Sequence, residues 1–130
     1  MQVRPKEPSE KGAADRFAGD VWIDVLALGE PPSRIRVTMV RFAPGARTAW
    51  HAHAMGQTLH VTDGICRVQS RGGEIAEIRA GDTVDTPPGE WHWHGAATDH
   101  FMTHLAMWEA PETGEESEWG AHVSDAHDAG

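Results

Sequence analysis

Four side chains of this sequence have the types and spacing to hold one cation between them. His51 and His53 are two residues apart, so on an extended strand both imidazoles project to the same side. Gln57 follows Ala54-Met55-Gly56, where the glycine lets the chain turn, and it opens a run in which Gln57, Leu59 and Val61 share one parity. Because the later members of that parity are apolar, the glutamine faces an interior. His92 comes much later, just after Pro87-Pro88-Gly89, and supplies a third imidazole from across the sheet. Three nitrogens and one amide oxygen suit a first-row divalent ion that keeps open positions for substrate or water, since a purely structural zinc closes its tetrahedron with thiolates or histidines. The plainer alternative is a set of solvated strand histidines with no ligand.

These residues need strands to position them. Short alternating runs occur at Val21-Leu26, Arg34-Phe42, Ala49-His53, Gln57-Thr62, Ile65-Ser70, Glu74-Ile78, Thr83-Thr86, His92-Gly95 and Met102-Trp108. Turn signals separate them, among them Ala43-Pro44-Gly45, Asp63-Gly64, Arg71-Gly72-Gly73 and Ala80-Gly81-Asp82, and Asp63-Gly64 reads as a tight turn. No stretch between residues 20 and 110 sustains a 3.6-residue apolar period, so the fold class is all-β, a sandwich or a barrel. The expected organisation is an N-terminal arm over 1–20, one β-barrel domain over 21–110 and an acidic C-terminal segment over 111–130. In that last segment Trp119 and Val123, four apart, would seat one helical turn on the barrel, with disorder the alternative.

Size and charge narrow the function. A chain of 130 residues with no internal repeat makes one domain. Its 11 basic against 20 acidic residues give a formal charge of −9, which repels phosphate backbones and anionic membranes, so neither nucleic acid nor membrane is expected as a partner. The first 20 residues are polar, with no signal peptide or membrane span, and a cytoplasmic location is the expectation. The lone Cys66, in Ile65-Cys66-Arg67-Val68, reads as a small core residue without catalytic role. Nine histidines, six tryptophans and no tyrosine make the composition lopsided, and most of the histidines cluster between residues 51 and 104.

Two motifs extend the reading. Gly45-x5-His51-x-His53-x3-Gln57-x6-Gly64 and Gly81-x5-Pro87-x-Gly89-x2-His92-x3-Ala96 resemble, at every spacing, the paired motifs of the cupin superfamily. The resemblance implies a single-domain cupin, a small β-barrel of jelly-roll type with short terminal extensions. Gln57 stands where glutamate is usual and Ala96 where asparagine is usual. A neutral amide in place of a carboxylate leaves the ion its full double charge, favouring Lewis-acid work on a substrate oxygen.

Within that superfamily, Arg47–His51, Gly56–Leu59, His92–Ala96 and Met102–Ala106 are similar to segments of the small bacterial manganese-dependent hydroxynitrile lyases, over roughly residues 15 to 125. Those enzymes cleave a cyanohydrin to an aldehyde or ketone plus hydrogen cyanide and run the reverse addition to (R)-cyanohydrins. The resemblance implies manganese; the residues alone allow iron, zinc, cobalt or nickel. Such chemistry needs a Lewis-acid site for the developing alkoxide, a base for the hydroxyl proton and an acid for the leaving cyanide. His104 is the first candidate base, since it shares a strand face with Met102, Ala106 and Trp108. His94 has the inward parity of His92, as catalytic group, hydrogen-bond partner or core histidine. Thr38, facing the same cavity with Val40, offers a hydroxyl to orient a small-molecule substrate. Trp108, also inward, would narrow the pocket mouth.

The remaining aromatics and histidines are read as peripheral. His60 falls on the outward parity, and His100, His122 and His127 sit in loops or tail, exposed. Trp50, Trp91 and Trp93 flank the ligands on the outward parity, where burial against a partner subunit would explain them, so a homo-oligomer, dimer or tetramer, is expected. The competing functions are another metal cupin enzyme (a dioxygenase, a sugar isomerase or a different lyase) and a binding module that holds a ligand without turnover.

Overall fold

Short apolar alternations broken by proline and glycine form strands and no helix among residues 1–124, the part of the chain that this computed structural model describes. Twelve strands run in order: β1 (Glu10–Lys11), β2 (Phe17–Ala18), β3 (Val21–Ala27), β4 (Ile35–Phe42), β5 (Arg47–Thr48), β6 (His51–His53), β7 (Gln57–Ser70), β8 (Ala76–Arg79), β9 (Thr83–Thr86), β10 (His92–Ala96), β11 (Met102–Glu109) and β12 (Ser117–Trp119). All pairings among them are antiparallel. One layer carries β1-β3-β4-β11 and the first half of β7, with β9 on that half. The other carries the second half of β7 with β8 and β10, then β5 with β2, and β6 with β12. The sheet is thus curled into a barrel of cupin type in a single domain.

The hinge between the layers corrects an expectation. Asp63-Gly64 is not a tight turn: β7 runs through it for 14 residues, pairing with β11 before Gly64 and with β10 after it. Gly64 has φ +80°, and a Cβ there would lie 2.0 Å from the Phe101 carbonyl oxygen, while the β7–β11 register slips between Thr103 and His104. A glycine in left-handed backbone beside a bulge bends a strand without ending it, and the bend moves the chain from one layer to the other.

Inward residues of both layers form the core: Val21, Val40, Phe42, Ala46, Val61, Cys66, Ala96 and Met102 are all buried together. Cys66 is wholly buried and its thiol is pushed up to about 12 by that burial, an inert core residue as expected. On the first layer Asp24 is 5 % exposed and ion-paired with Arg41 at 2.7 Å, with Ser9 donating a further hydrogen bond.

Segments near both ends of the described residues are built into the barrel. β1 and β2 pair with β3 and β5. At the other end the expected helical turn is a strand: Ser117, Glu118 and Trp119 pair with His53, Ala52 and His51. Edge β6 offered unpaired backbone groups, and pairing them outweighs whatever four-residue spacing contributes. The chain then stays bound, Gly120 N–H donating to the Trp50 carbonyl and Trp50 N–H to that of Ala121. Val123 packs into a cluster with Trp50 and Trp93, flanked by Trp91 and Ile75. Trp50 and Trp93 are therefore covered in part by the chain's own C-terminal segment, with the Arg71 guanidinium over Trp50 and the partly buried Trp91, so these rings do not by themselves call for a partner subunit. No helix among the described residues is long and apolar enough to cross a membrane.

Candidate metal centre and its cavity

β6 delivers His51 and His53, β7 opens with Gln57, and β10 opens with His92 in register opposite His51. The three imidazoles are buried and each brings one nitrogen to a common point, these atoms lying within 4.8 Å of one another. Gln57 adds Oε1 at 3.3 Å from His92 Nε2.

Hydrogen bonding fixes which nitrogens face that point. His51 Nδ1–H donates to the Ala49 carbonyl and His92 Nδ1–H to that of Glu90, both at 2.9 Å, so each ring keeps a bare lone pair on Nε2. His53 Nδ1 is engaged by the Ser117 hydroxyl at 2.9 Å, from β12. His53 Nε2 is buried with no hydrogen-bond partner among the described residues. Since His92 Nε2 has no proton to give, its approach to Gln57 Oε1 sets two acceptors against each other. Such a contact, beside an orphaned imidazole nitrogen, is relieved by a cation. The donor set fits a divalent metal.

The same surroundings keep the imidazoles neutral. Burial first, then repulsion from His92, lowers His51 well below its ordinary value and His53 to about 4. The Gln57 amide and Glu116 carboxylate offset this only in part for His53. Burial likewise lowers His92. Ligands already deprotonated at neutral pH bind a cation without first losing a proton.

A cavity of about 410 Å³ opens above the centre, with His51, His53 and Gln57 in its lining. Thr38, Val40, Ala106 and Trp108 line it from β4 and β11, as their parity predicts. Phe17, Ile23 and Arg16 add the near side. The remaining wall is a strap that sequence reasoning missed: Gly114, Glu115, Glu116, Ser117 and Trp119. Trp119 stacks on His51 with centroids 4.5 Å apart, and the Arg16 guanidinium lies over the outer indole at 5.1 Å. Glu116 accepts from Trp108 Nε1–H at 3.0 Å and from Arg36 Nε–H at 3.2 Å. The only signal in the sequence was polar residues beside a tryptophan in an acidic tail.

His94 and His104 lie behind the cluster rather than in the cavity lining. His104 is wholly buried against Phe42, and its Nε2 shares a hydrogen bond of 2.9 Å with His94 Nδ1. The outer nitrogens, His94 Nε2 and His104 Nδ1, are buried with no partner among the described residues. Burial lowers His104 to about 4, and burial with repulsion from His104 lowers His94 well below its ordinary value. His60 points outward and bonds Thr83 Oγ1, while His100 is exposed. Exposed His122 bonds the Ala14 carbonyl, and His127 lies outside the described residues.

Comparisons with known proteins agree with this geometry. A family model described as a cupin domain matches residues 38–108. An (R)-mandelonitrile lyase of Granulicella tundricola is 49 % identical over 119 residues, covering 92 % of this chain and 90 % of the relative. A cupin-like protein from Thermotoga maritima superposes with a TM-score of 0.87 at 36 % identity, over 98 % of this chain and 94 % of that one. A predicted oxalate decarboxylase from the same organism shares the fold, with a TM-score of 0.68 at 21 % identity, over 76 % of this chain and 89 % of that one.

Proposed function

The chain belongs to the cupin family, and from that premise we propose that it is a metal-dependent hydroxynitrile lyase. In this reading it cleaves a cyanohydrin to an aldehyde or ketone plus hydrogen cyanide and catalyses the reverse addition to the (R)-cyanohydrin. One observation carries the reading: a cluster of three neutral imidazoles and one amide, open to a cavity of ligand size, with an uncharged histidine pair behind it. The name of the relative at 49 % identity supports the same chemistry.

His51, His53, Gln57 and His92 would hold the ion, proposed to be manganese. Bound there, it supplies Lewis acidity toward an oxygen that becomes negative as the carbon–carbon bond breaks. In cleavage the hydroxyl loses its proton, the C–CN bond breaks with its electron pair leaving on cyanide, and one proton must reach that cyanide. The His94–His104 pair, which lies behind the ligand cluster and outside the cavity lining, is assigned this proton traffic, and the role requires an outer nitrogen to gain access to the cavity during turnover. Whichever imidazole donates the shared hydrogen bond, one outer nitrogen of the pair carries hydrogen and the other a lone pair. A proton taken up at the lone-pair end and passed along the shared bond emerges at the other. Burial disfavours the imidazolium, so a proton so gained is readily released to a basic anion such as cyanide. Thr38, on the cavity wall, offers its hydroxyl to orient the substrate oxygen. The Phe17, Ile23 and Val40 side chains exclude water around the organic substituent.

The test is cyanide release from racemic mandelonitrile by metal-free protein reloaded separately with manganese, iron and zinc. Metal-dependent release, lost in His51→Ala together with bound metal, is expected. His104→Ala and the bulkier His104→Gln are expected to lose release while keeping metal. Release retained in both would remove the pair from the mechanism, and no release with any ion would sink the lyase reading.

A further inference from the structure

We infer that Trp108 is a movable partition between the metal cavity and a second, smaller hollow, and that the methionine-lined side of this hollow receives an aryl or long alkyl substituent of the substrate when the indole swings aside. The inference rests on the lyase reading for the reaction, though not for the binding it predicts.

A hollow of about 230 Å³ lies beside the metal cavity, with Ile35, Met55 and Met107 in its wall and Thr58 and Glu109 beside them. Two residues belong to both linings, Gln57 and Trp108. Gln57 is buried at the start of β7, where it pairs with Thr86 of β9, which leaves the indole as the part of the divide free to move. Its attachment is narrow. The ring leans on His53 with centroids 5.5 Å apart and a 36° tilt, short of flat stacking. Its N–H makes a single hydrogen bond, to Glu116 on the strap.

Glu116 is the fixed end of this latch. Its carboxylate accepts from two nitrogens of Arg36, and the Arg36 guanidinium also donates to the Leu28 carbonyl. The strap and β4 therefore hold the acceptor in place whether or not the indole is engaged. Indole out of the way, the two hollows become one, and Met55 and Met107, unbranched and adaptable, present a surface that takes apolar groups of varied shape. The latch thus tunes substrate size: a fused bicyclic ring gains the added room of the second hollow only when the indole moves, and a phenyl ring gains less from it.

The experiment uses metal-loaded protein and compares kcat/KM for mandelonitrile with that for its 2-naphthyl homologue. Trp108→Ala is expected to shift this ratio by about tenfold or more toward the naphthyl substrate, the size of effect a pocket contact of this kind controls, and through KM more than kcat. Glu116→Ala, which frees the indole without removing it, is expected to shift the ratio the same way by a smaller factor, and keeps the test alive should Trp108→Ala fail to fold. Calorimetric binding of benzoate and 2-naphthoate to the same proteins reads the partition without turnover. If no protein releases cyanide, the lyase reading has failed and the binding ratio still decides. A ratio within about twofold of the parent in both folded variants, by kinetics and by binding, would overturn the partition.

Discussion

Of the three imidazoles, only His53 is oriented by a removable side chain. His51 and His92 give their Nδ1 hydrogens to backbone carbonyls, which no substitution deletes, whereas His53 depends on the Ser117 hydroxyl, 64 residues away along the chain. Ser117→Ala therefore isolates one contribution. Without the hydroxyl, a ring that is 4 % exposed loses a hydrogen bond worth about 1 kcal/mol net, or roughly 1–3 kcal/mol if its N–H stays unpaired. The ring also becomes free to carry its hydrogen on Nε2, the form that cannot ligate. Together these weaken metal affinity by about 10- to 100-fold, the range found when the partner of a ligating histidine is removed. Free manganese measured by electron paramagnetic resonance during titration of metal-free protein reads this directly, and the melting temperature of the metal-free variant checks the fold. Ser117→Thr, which keeps a hydroxyl, is expected to hold affinity near the parent's. An affinity for Ser117→Ala within about twofold of the parent, with the fold intact, would show that strand pairing alone orients His53.

Two further predictions concern the frame. Gly64→Ala forces an L-residue into left-handed backbone with its Cβ on the Phe101 carbonyl, so urea unfolding is expected to show a loss of roughly 2–5 kcal/mol, against about 1–2 kcal/mol for Gly72→Ala, which shares the positive φ but has open space around the added Cβ. For acid unfolding of the metal-free protein the signs run one way: His104, at about 4 folded against an ordinary 6.5, contributes stability that is whole above pH 6.5 and lost as pH falls toward 4, with His94 and the cluster imidazoles acting in the same direction. Asp24, held at about 2 chiefly by the Arg41 hydrogen bond, gives up its contribution later, between pH 3.8 and 2. Circular dichroism should show stability declining from pH 6.5 downward, and an undiminished urea midpoint at pH 4.5 would contradict the buried neutral histidines.

The candidate ligands and the strand faces were legible in the sequence because both are local properties. Two residues apart on a strand means one side, and that rule placed His51 with His53 and put Thr38, Val40, Ala106 and Trp108 on the cavity wall. The long spacing of two motifs brought His92 to the same centre, as the β6–β10 register requires. What parity does not give is depth along the strand. His104 shares the face of Ala106 yet lies behind the cavity, paired with His94, because only the closed barrel decides how far down an inward residue sits.

The strap was beyond local reading altogether. Ser117, Glu116 and Trp119 reach the centre because the free edge of β6 needed a backbone partner and the C-terminal chain supplied it, a pairing between segments more than 60 residues apart that leaves no periodicity in either. That one docking also buries Trp50 and Trp93, which the sequence alone left as exposed aromatics in want of a partner subunit. The sequence by itself thus determined most of the strands, the cupin family and the candidate ligand set, through spacing and side-chain type. Only the tertiary structure decided the hydrogen-bond partner of His53, the latch on Trp108 and the placing of the histidine pair, since each depends on a contact that the chain makes with a distant part of itself.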